Sequence, residues 1–163
     1  MTVPEQPEEP LVDQLTGLPN RRHLERVLDP FLERRKASRK PLSLLLFDID
    51  HFKEINDLYG REVGDQALVR TAELLKSNVK AGDPMVRWSR DEFIIVLEDE
   101  DRDIAERVAQ RLIDRVAGES FEILGKAVSI TVSAGVATFP DDGTELPALL
   151  GSAQRMLQAR ERA

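Results

Sequence analysis

Cysteine is absent from this 163-residue chain, histidine occurs twice, and aromatic residues make up only 5% of it. Without thiols there is no disulfide frame, no cysteine nucleophile and no zinc–sulfur site, a pattern that suits a reducing cytoplasm. His23 and His51 alone give a nitrogen-ligated metal too little to work with, so any metal is expected to be hard and held by oxygen. No apolar run approaches the ~20 residues of a membrane helix, and the N-terminus lacks the basic and apolar regions of a signal peptide. A soluble protein of the cytoplasm, without membrane insertion, is expected. Excess positive charge is lacking too: 23 Lys and Arg face 30 Asp and Glu, for a net charge of −7. A reader of phosphate backbones needs the opposite balance, so neither DNA nor RNA is an expected partner.

The remaining composition, 41% apolar and 33% charged, fits one folded α/β or α+β domain. Residues 1–11 hold three prolines and three glutamates and read as a flexible acidic leader, with the domain proper at 12–163. Asn20 is placed to cap a helix from Arg21 to about Arg39, which Pro30 should bend or divide. Residues 42–49 form a nearly continuous apolar run, the mark of a strand buried on both faces. A short helix at His51–Tyr59 and a longer one from Gly64 to Val79 follow, then a strand hairpin with Ser89–Glu92 as its turn. Next comes a helix to about Val116, with Ile104, Val108 and Leu112 inward. Strands near Phe121–Leu124 and Ala127–Phe139 and a helix at Leu146–Arg162 complete the chain. A hairpin in mid-chain argues against a purely parallel sheet, so one mixed or antiparallel sheet with helices on its faces is expected. The basic cluster Arg34, Arg35, Lys36, Arg39 and Lys40 reads first as a solvated helix end and second as a docking surface for an acidic partner.

Carboxylates carry the chemistry. Asp48 and Asp50 end the buried strand, and Asp91 and Glu92 occupy the hairpin tip. If strand and hairpin are neighbours, three or four carboxylates meet at one sheet edge, a cluster suited to Mg²⁺ in partnership with substrate phosphates. The helix that starts at His51-Phe52-Lys53 presents free N–H groups and a positive dipole to an anion. Together these describe a nucleotide-triphosphate site. The alternative is that Asp50 merely caps the helix and the hairpin acids serve solubility. Asn56 and Asp65, flanking an expected Gly60–Gly64 loop, can read a guanine edge or simply stabilise turns.

Several segments in order carry a resemblance: Asp13-x-Leu-Thr-Gly-Leu-Pro-Asn-Arg-Arg22; Phe47-Asp-Ile-Asp-His-Phe-Lys-Glu-Ile-Asn-Asp-Leu-Tyr-Gly60 with Gly64-Asp65; Arg87-Trp-Ser-Arg-Asp-Glu-Phe93; and Val132-Ser-Ala-Gly-Val136 with Phe139-Pro140. Over residues 12–162 the chain resembles the GGDEF domain of diguanylate cyclases. The resemblance implies an α+β fold similar to nucleotidyl cyclases and polymerase palm domains, with a five-stranded, mostly antiparallel central sheet wrapped by helices. It implies the bacterial cyclic di-GMP pathway, in which active members join two GTP with Mg²⁺ and release two diphosphates, each subunit of a homodimer supplying one GTP. By matched position it implies that Asp48 and Asp91 hold Mg²⁺ with the Ile49 carbonyl, and that Glu92 is a second acid near the metals or the reacting hydroxyl. The amides of His51, Phe52 and Lys53 would cradle phosphates, Asn56 and Asp65 would read guanine, and Arg160 would meet a phosphate.

Three departures qualify this. The signature reads Ser89-Arg90-Asp91-Glu92-Phe93, so both glycines, which permit positive φ and close approach to a ligand, are replaced. Arg160 stands in the last helix where the family usually has lysine. The family's inhibitory Arg-x-x-Asp is Lys80-Ala81-Gly82-Asp83 here, with Arg87 as a nearby cation, and lysine lacks the planar fork that grips guanine. Arg90 favours a catalytically inactive module that responds to GTP or cyclic di-GMP or docks a signalling protein. An active diguanylate cyclase and a nucleotide-independent interaction scaffold are the alternatives.

Overall fold

A computed structural model describes residues 11–162. The expected leader therefore lies, but for Leu11, outside the described residues. In chain order the elements are α1 (Arg21–Ser38), β1 (Leu42–Ile49), α2 (Phe52–Tyr59), α3 (Arg61–Ser77), β2 (Met85–Arg87) and β3 (Glu92–Glu98). They continue with α4 (Arg102–Ala117), β4 (Phe121–Ile123), β5 (Lys126–Val128), β6 (Val132–Phe139) and α5 (Leu146–Glu161).

Strands order as β2-β3-β1-β6 in one sheet, with every pair antiparallel. β1 is central, which is why residues 42–47 are fully buried and, Ser43 apart, its sequence is apolar without alternation up to Asp48. The two-residue period still sorts its side chains between two layers. Leu45, Phe47 and Ile49 pack with Phe52 and Ile55 of α2, Leu68 and Leu75 of α3 and Leu112 of α4. Leu42, Leu44 and Leu46 pack with Leu24, Leu28 and Leu32 of α1 and Leu149, Ala153 and Leu157 of α5. α5 lies so close to β6 that a Cβ on Gly135 would collide with the Ala153 carbonyl.

The fold class is α+β, an antiparallel sheet wrapped by five helices. The strand count departs from expectation, with four strands in the main sheet and a separate β4–β5 hairpin. The run expected as one strand over 127–139 is broken at residues 129–131. Leu124 and Gly125 both have positive φ, as a two-residue hairpin turn requires. Asn20 caps α1 as expected, its side chain accepting from the His23 N–H at 3.2 Å. Pro30 does not divide α1. It lies exposed in an unbroken 18-residue helix, and the carbonyl it orphans belongs to exposed Arg26, which water can satisfy. α4 is rotated from its expected phase: Ala105, Ala109, Leu112 and Val116 face the core, while Ile104 is 40% exposed. The small alanines let the helix approach the sheet.

Candidate nucleotide and metal site

Antiparallel register sets Glu92, Asp48 and Ser133 side by side across β3, β1 and β6. Asp48 continues the Leu42–Leu44–Leu46 face, so it points to the layer occupied by α5. That helix buries Ala153 and Leu157 on the same face, and Glu161 follows one turn later. Asp48 Oδ1 is buried and has no hydrogen-bond partner. Burial first, then hydrogen bonding with Glu161 and the charge of Asp91, push the Asp48 carboxyl up to about 9. The Ile49 N–H donates to the Asp91 carbonyl at 3.1 Å, which joins the end of β1 to the hairpin tip.

Of the three or four carboxylates expected to meet at this sheet edge, Asp50 does not join the group. Asp50 turns toward β6, where it accepts from the Thr131 and Ser133 hydroxyls at 2.7 and 2.6 Å. It does not cap α2, because the capping position is His51, in the left-handed region at φ 55°. Glu92 accepts from the Ser89 hydroxyl at 2.6 Å, a contact that glycine could not make. Among the described residues no three acidic or imidazole side chains converge well enough to hold a metal alone. A Mg²⁺ ion at Asp48 and Asp91 would need further oxygens, of the kind that phosphates and water supply.

Past His51 the chain enters α2, and the Ile55 N–H to His51 carbonyl bond of 3.1 Å closes its first turn. The amides of His51, Phe52 and Lys53 precede that bond and have no intrahelical acceptor. His51 lines a cavity of about 370 Å³ with Asp50, Ser133, Arg160 and Glu161. The Arg160 guanidinium in this cavity is engaged: Nη1 donates to the Ala134 carbonyl at 2.8 Å and Nη2 to both oxygens of Glu106 at 3.0 and 2.9 Å.

A larger cavity of about 790 Å³ lies between α2, α3 and the signature turn, lined by Phe52, Asn56, Arg61, Asp65, Arg87 and Arg90 among others. The structure brings Asn56 and Asp65 together here, but not across a loop. α3 begins at Arg61, and only Gly60, at φ 94°, separates the two helices. Gly64 leaves room for the Asn56 side chain, which a Cβ would strike, and Asn56 Nδ2 is buried without an acceptor. Arg90 enters the wall with its guanidinium 5.6 Å from the Phe52 ring centroid and no ion pair among the described residues. Positive φ at non-glycine residues is confined to Arg39, His51, Asp99 and Leu124 among the described residues. The backbone at Ser89 and Arg90 therefore does not use the positive φ that glycine would permit. What Arg90 takes up is space.

Arg87 is not among the residues lining the cavity that holds Lys80 and Asp83. Its Nη1 donates to both oxygens of Asp13 at 3.0 and 3.1 Å, and its Nη2 to the Arg90 carbonyl at 2.7 Å. Sequence reasoning missed Asp13 because 74 residues separate it from Arg87. Lys80 and Asp83 do meet, in a third cavity of about 320 Å³ with Ile104, Arg107, Val108 and Arg111. Lys80 lies 3.5 Å from Glu100, and burial raises the Asp83 carboxyl while Lys80 opposes the rise. Arg107 and Arg111 were also missed, though their spacing of four on α4 beside Val108 was a usable signal.

Comparison with known proteins gives a consistent result. The family profile described as "Diguanylate cyclase, GGDEF domain" matches residues 11–163. The response regulator PleD of Caulobacter vibrioides is 38% identical over 142 residues, covering 86% of this chain and 31% of its own length. A sensory box/GGDEF family protein from Caulobacter crescentus superposes with a TM-score of 0.85 at 38% identity, covering 94% of this chain and all of that one. The diguanylate cyclase SiaD of Pseudomonas aeruginosa, solved with its activator SiaC, gives 0.85 at 31% identity, covering 93% of this chain and 58% of its own. The chain spans less than a third of the length of the curated relatives it matches. No described helix is long and apolar enough to cross a membrane.

Proposed function

The chain belongs to the GGDEF family, and on that premise we propose that it is a guanine-nucleotide-binding module of cyclic di-GMP signalling with little or no cyclase turnover. One observation carries the reading: the Arg90 side chain lies in the wall of the large cavity, over Phe52, where a ligand would need open space. A displacement of about 1 Å in a reacting group can cost roughly a hundredfold in rate. Arg90 therefore separates binding from chemistry.

Binding uses groups that are otherwise unsatisfied. The orphaned Asn56 Nδ2 donates to an acceptor on the guanine edge, and Asp65 in the same cavity accepts from its ring N–H and amino group. The amides of His51, Phe52 and Lys53 receive phosphate oxygens. Asp48 and Asp91, with the Ile49 carbonyl, would hold Mg²⁺, and the buried lone pair on Asp48 Oδ1 fits that assignment. When bound, the ion neutralises phosphate charge and polarises the phosphoryl oxygen. Asp48 must give up its proton to serve, and Glu92 stands beside it. The cavity with Lys80 and Asp83 is the inhibitory-site equivalent, and lysine makes it a weak receptor for cyclic di-GMP. A homodimer and a signalling protein partner, in the cytoplasm, belong to the same reading.

The ordinary backbone at Ser89 and Arg90, with Asp48, Asp91 and Glu92 all present, favours a second reading as an active cyclase. Incubation with GTP and Mg²⁺ followed by chromatography separates the two. We expect little or no cyclic di-GMP from wild type, and a clear gain from the double variant S89G/R90G. Wild-type turnover of about 1 per second or more overturns the first reading.

A further inference from the structure

Arg160 is the only permanent cation among the described residues lining the cavity beside the α2 amides, where Asp50 and Glu161 are both acids. Yet this guanidinium already has partners from two other elements. Ala134 of β6 supplies a carbonyl at 2.8 Å, and Glu106 of α4 supplies both carboxylate oxygens at 3.0 and 2.9 Å. The Arg160 and Glu106 side chains are 38% and 34% exposed, so the pair is no desolvated structural bridge. It has the modest strength of a surface ion pair, which a more highly charged ligand can displace. A triphosphate is such a ligand, and it would approach from the cavity side of the same guanidinium.

We propose that Glu106 is an internal competitor for the nucleotide phosphate: it holds Arg160 against α4, and Arg160 must leave it to meet the ligand. The inference rests on the nucleotide-binding reading above and adds the residue that sets phosphate affinity. Ala134 completes the arrangement, because its carbonyl still anchors Nη1 when Glu106 lets go. Glu106 is therefore a positioning residue. It acts on the ligand only through Arg160, so its effect must depend on the presence of a phosphate and on the arginine.

Calorimetric titration tests this with a GTP analogue carrying a methylene bridge between the α- and β-phosphates, in excess Mg²⁺, so that turnover does not intervene. Guanosine is the phosphate-free control. E106Q keeps the side-chain shape and removes the charge, and E106A removes both. Each is expected to bind the analogue roughly two- to fivefold more tightly than wild type, with guanosine unchanged. In an R160A background, E106Q should change nothing. Equal or weaker binding by E106Q, an equal gain for guanosine, or a gain that survives R160A overturns the proposal. If folded wild type and folded E106Q both fail to bind the analogue, the nucleotide reading itself falls, and the role of Glu106 with it.

Discussion

Asp48 has a buried oxygen lone pair without a donor and two acids for neighbours, so in the metal-free protein it stays protonated at neutral pH. Its carboxyl is raised from 3.8 to about 9, which fixes a sign. Below pH 3.8 the group is neutral in both folded and unfolded chains and costs nothing. As pH rises, the unfolded chain ionises first, and the stability linked to the folded proton is lost progressively until about pH 9. Asp48→Asn, neutral at every pH, should match wild type near pH 4 and melt higher above it, the gap widening toward pH 9. In a domain this size each kcal/mol moves the melting temperature by about 2–4 °C. Thermal melts at several pH values without metal check this, and a gap that does not vary with pH contradicts it. The proposed Mg²⁺ binding has the opposite demand, since it needs the ionised carboxylate. Wild-type affinity should therefore rise with pH toward 9, and Asp48→Asn should lose it.

Among the elements, the contact of α5 with β6 decides where Arg160 and Glu161 end up. Gly135 is the point of closest approach, facing the Ala153 carbonyl. Gly135→Ala should cost about 1–3 kcal/mol through forced separation, read as a lower urea midpoint with an unchanged slope. The same element level shows what the sequence could reveal. β1 was legible because a run buried on both faces has a single polar member, Ser43, before Asp48, and Ser43 is itself buried with its hydroxyl bonded to the Glu100 carbonyl and the Thr138 hydroxyl. The α2 amides and the carboxylates at strand ends were legible for the same local reason. α4 misled because periodicity follows the largest apolar side chains, whereas Ala105 and Ala109 make the contact and Ile104 is left at a cavity rim. The partners of the site residues were not legible at all. Glu106 is 54 residues from Arg160, and Thr131 is 81 from Asp50, and no local pattern encodes such pairs.

At the scale of the whole molecule, one ion pair ties the first described turn to the signature hairpin. Asp13 gathers the Thr16 amide and hydroxyl at 2.9 and 2.7 Å, then receives Arg87, whose other arm holds the Arg90 carbonyl. The side chains of Arg87 and Asp13 are only 15% and 20% exposed, so this pair is better shielded than the surface pairs elsewhere. Burial pulls the Asp13 carboxyl up, but the hydrogen bonds from Thr16 and Arg87 outweigh it and hold the group below its usual 3.8. A depressed folded value means that the contribution is present above pH 3.8 and is lost as pH falls through the folded value. Asp13→Asn should therefore cost about 1–3 kcal/mol at pH 7, and wild type should converge on the variant in acid as its own Asp13 protonates. Urea melts at pH 7 and pH 3 measure the two differences, and a cost that is equal at both would rule out the charge as its source. Arg87→Lys should behave like Asp13→Asn at pH 7, because a single ammonium cannot reach Asp13 and the Arg90 carbonyl together. The turn that carries Arg90 would then lose its anchor along with the N-terminal segment.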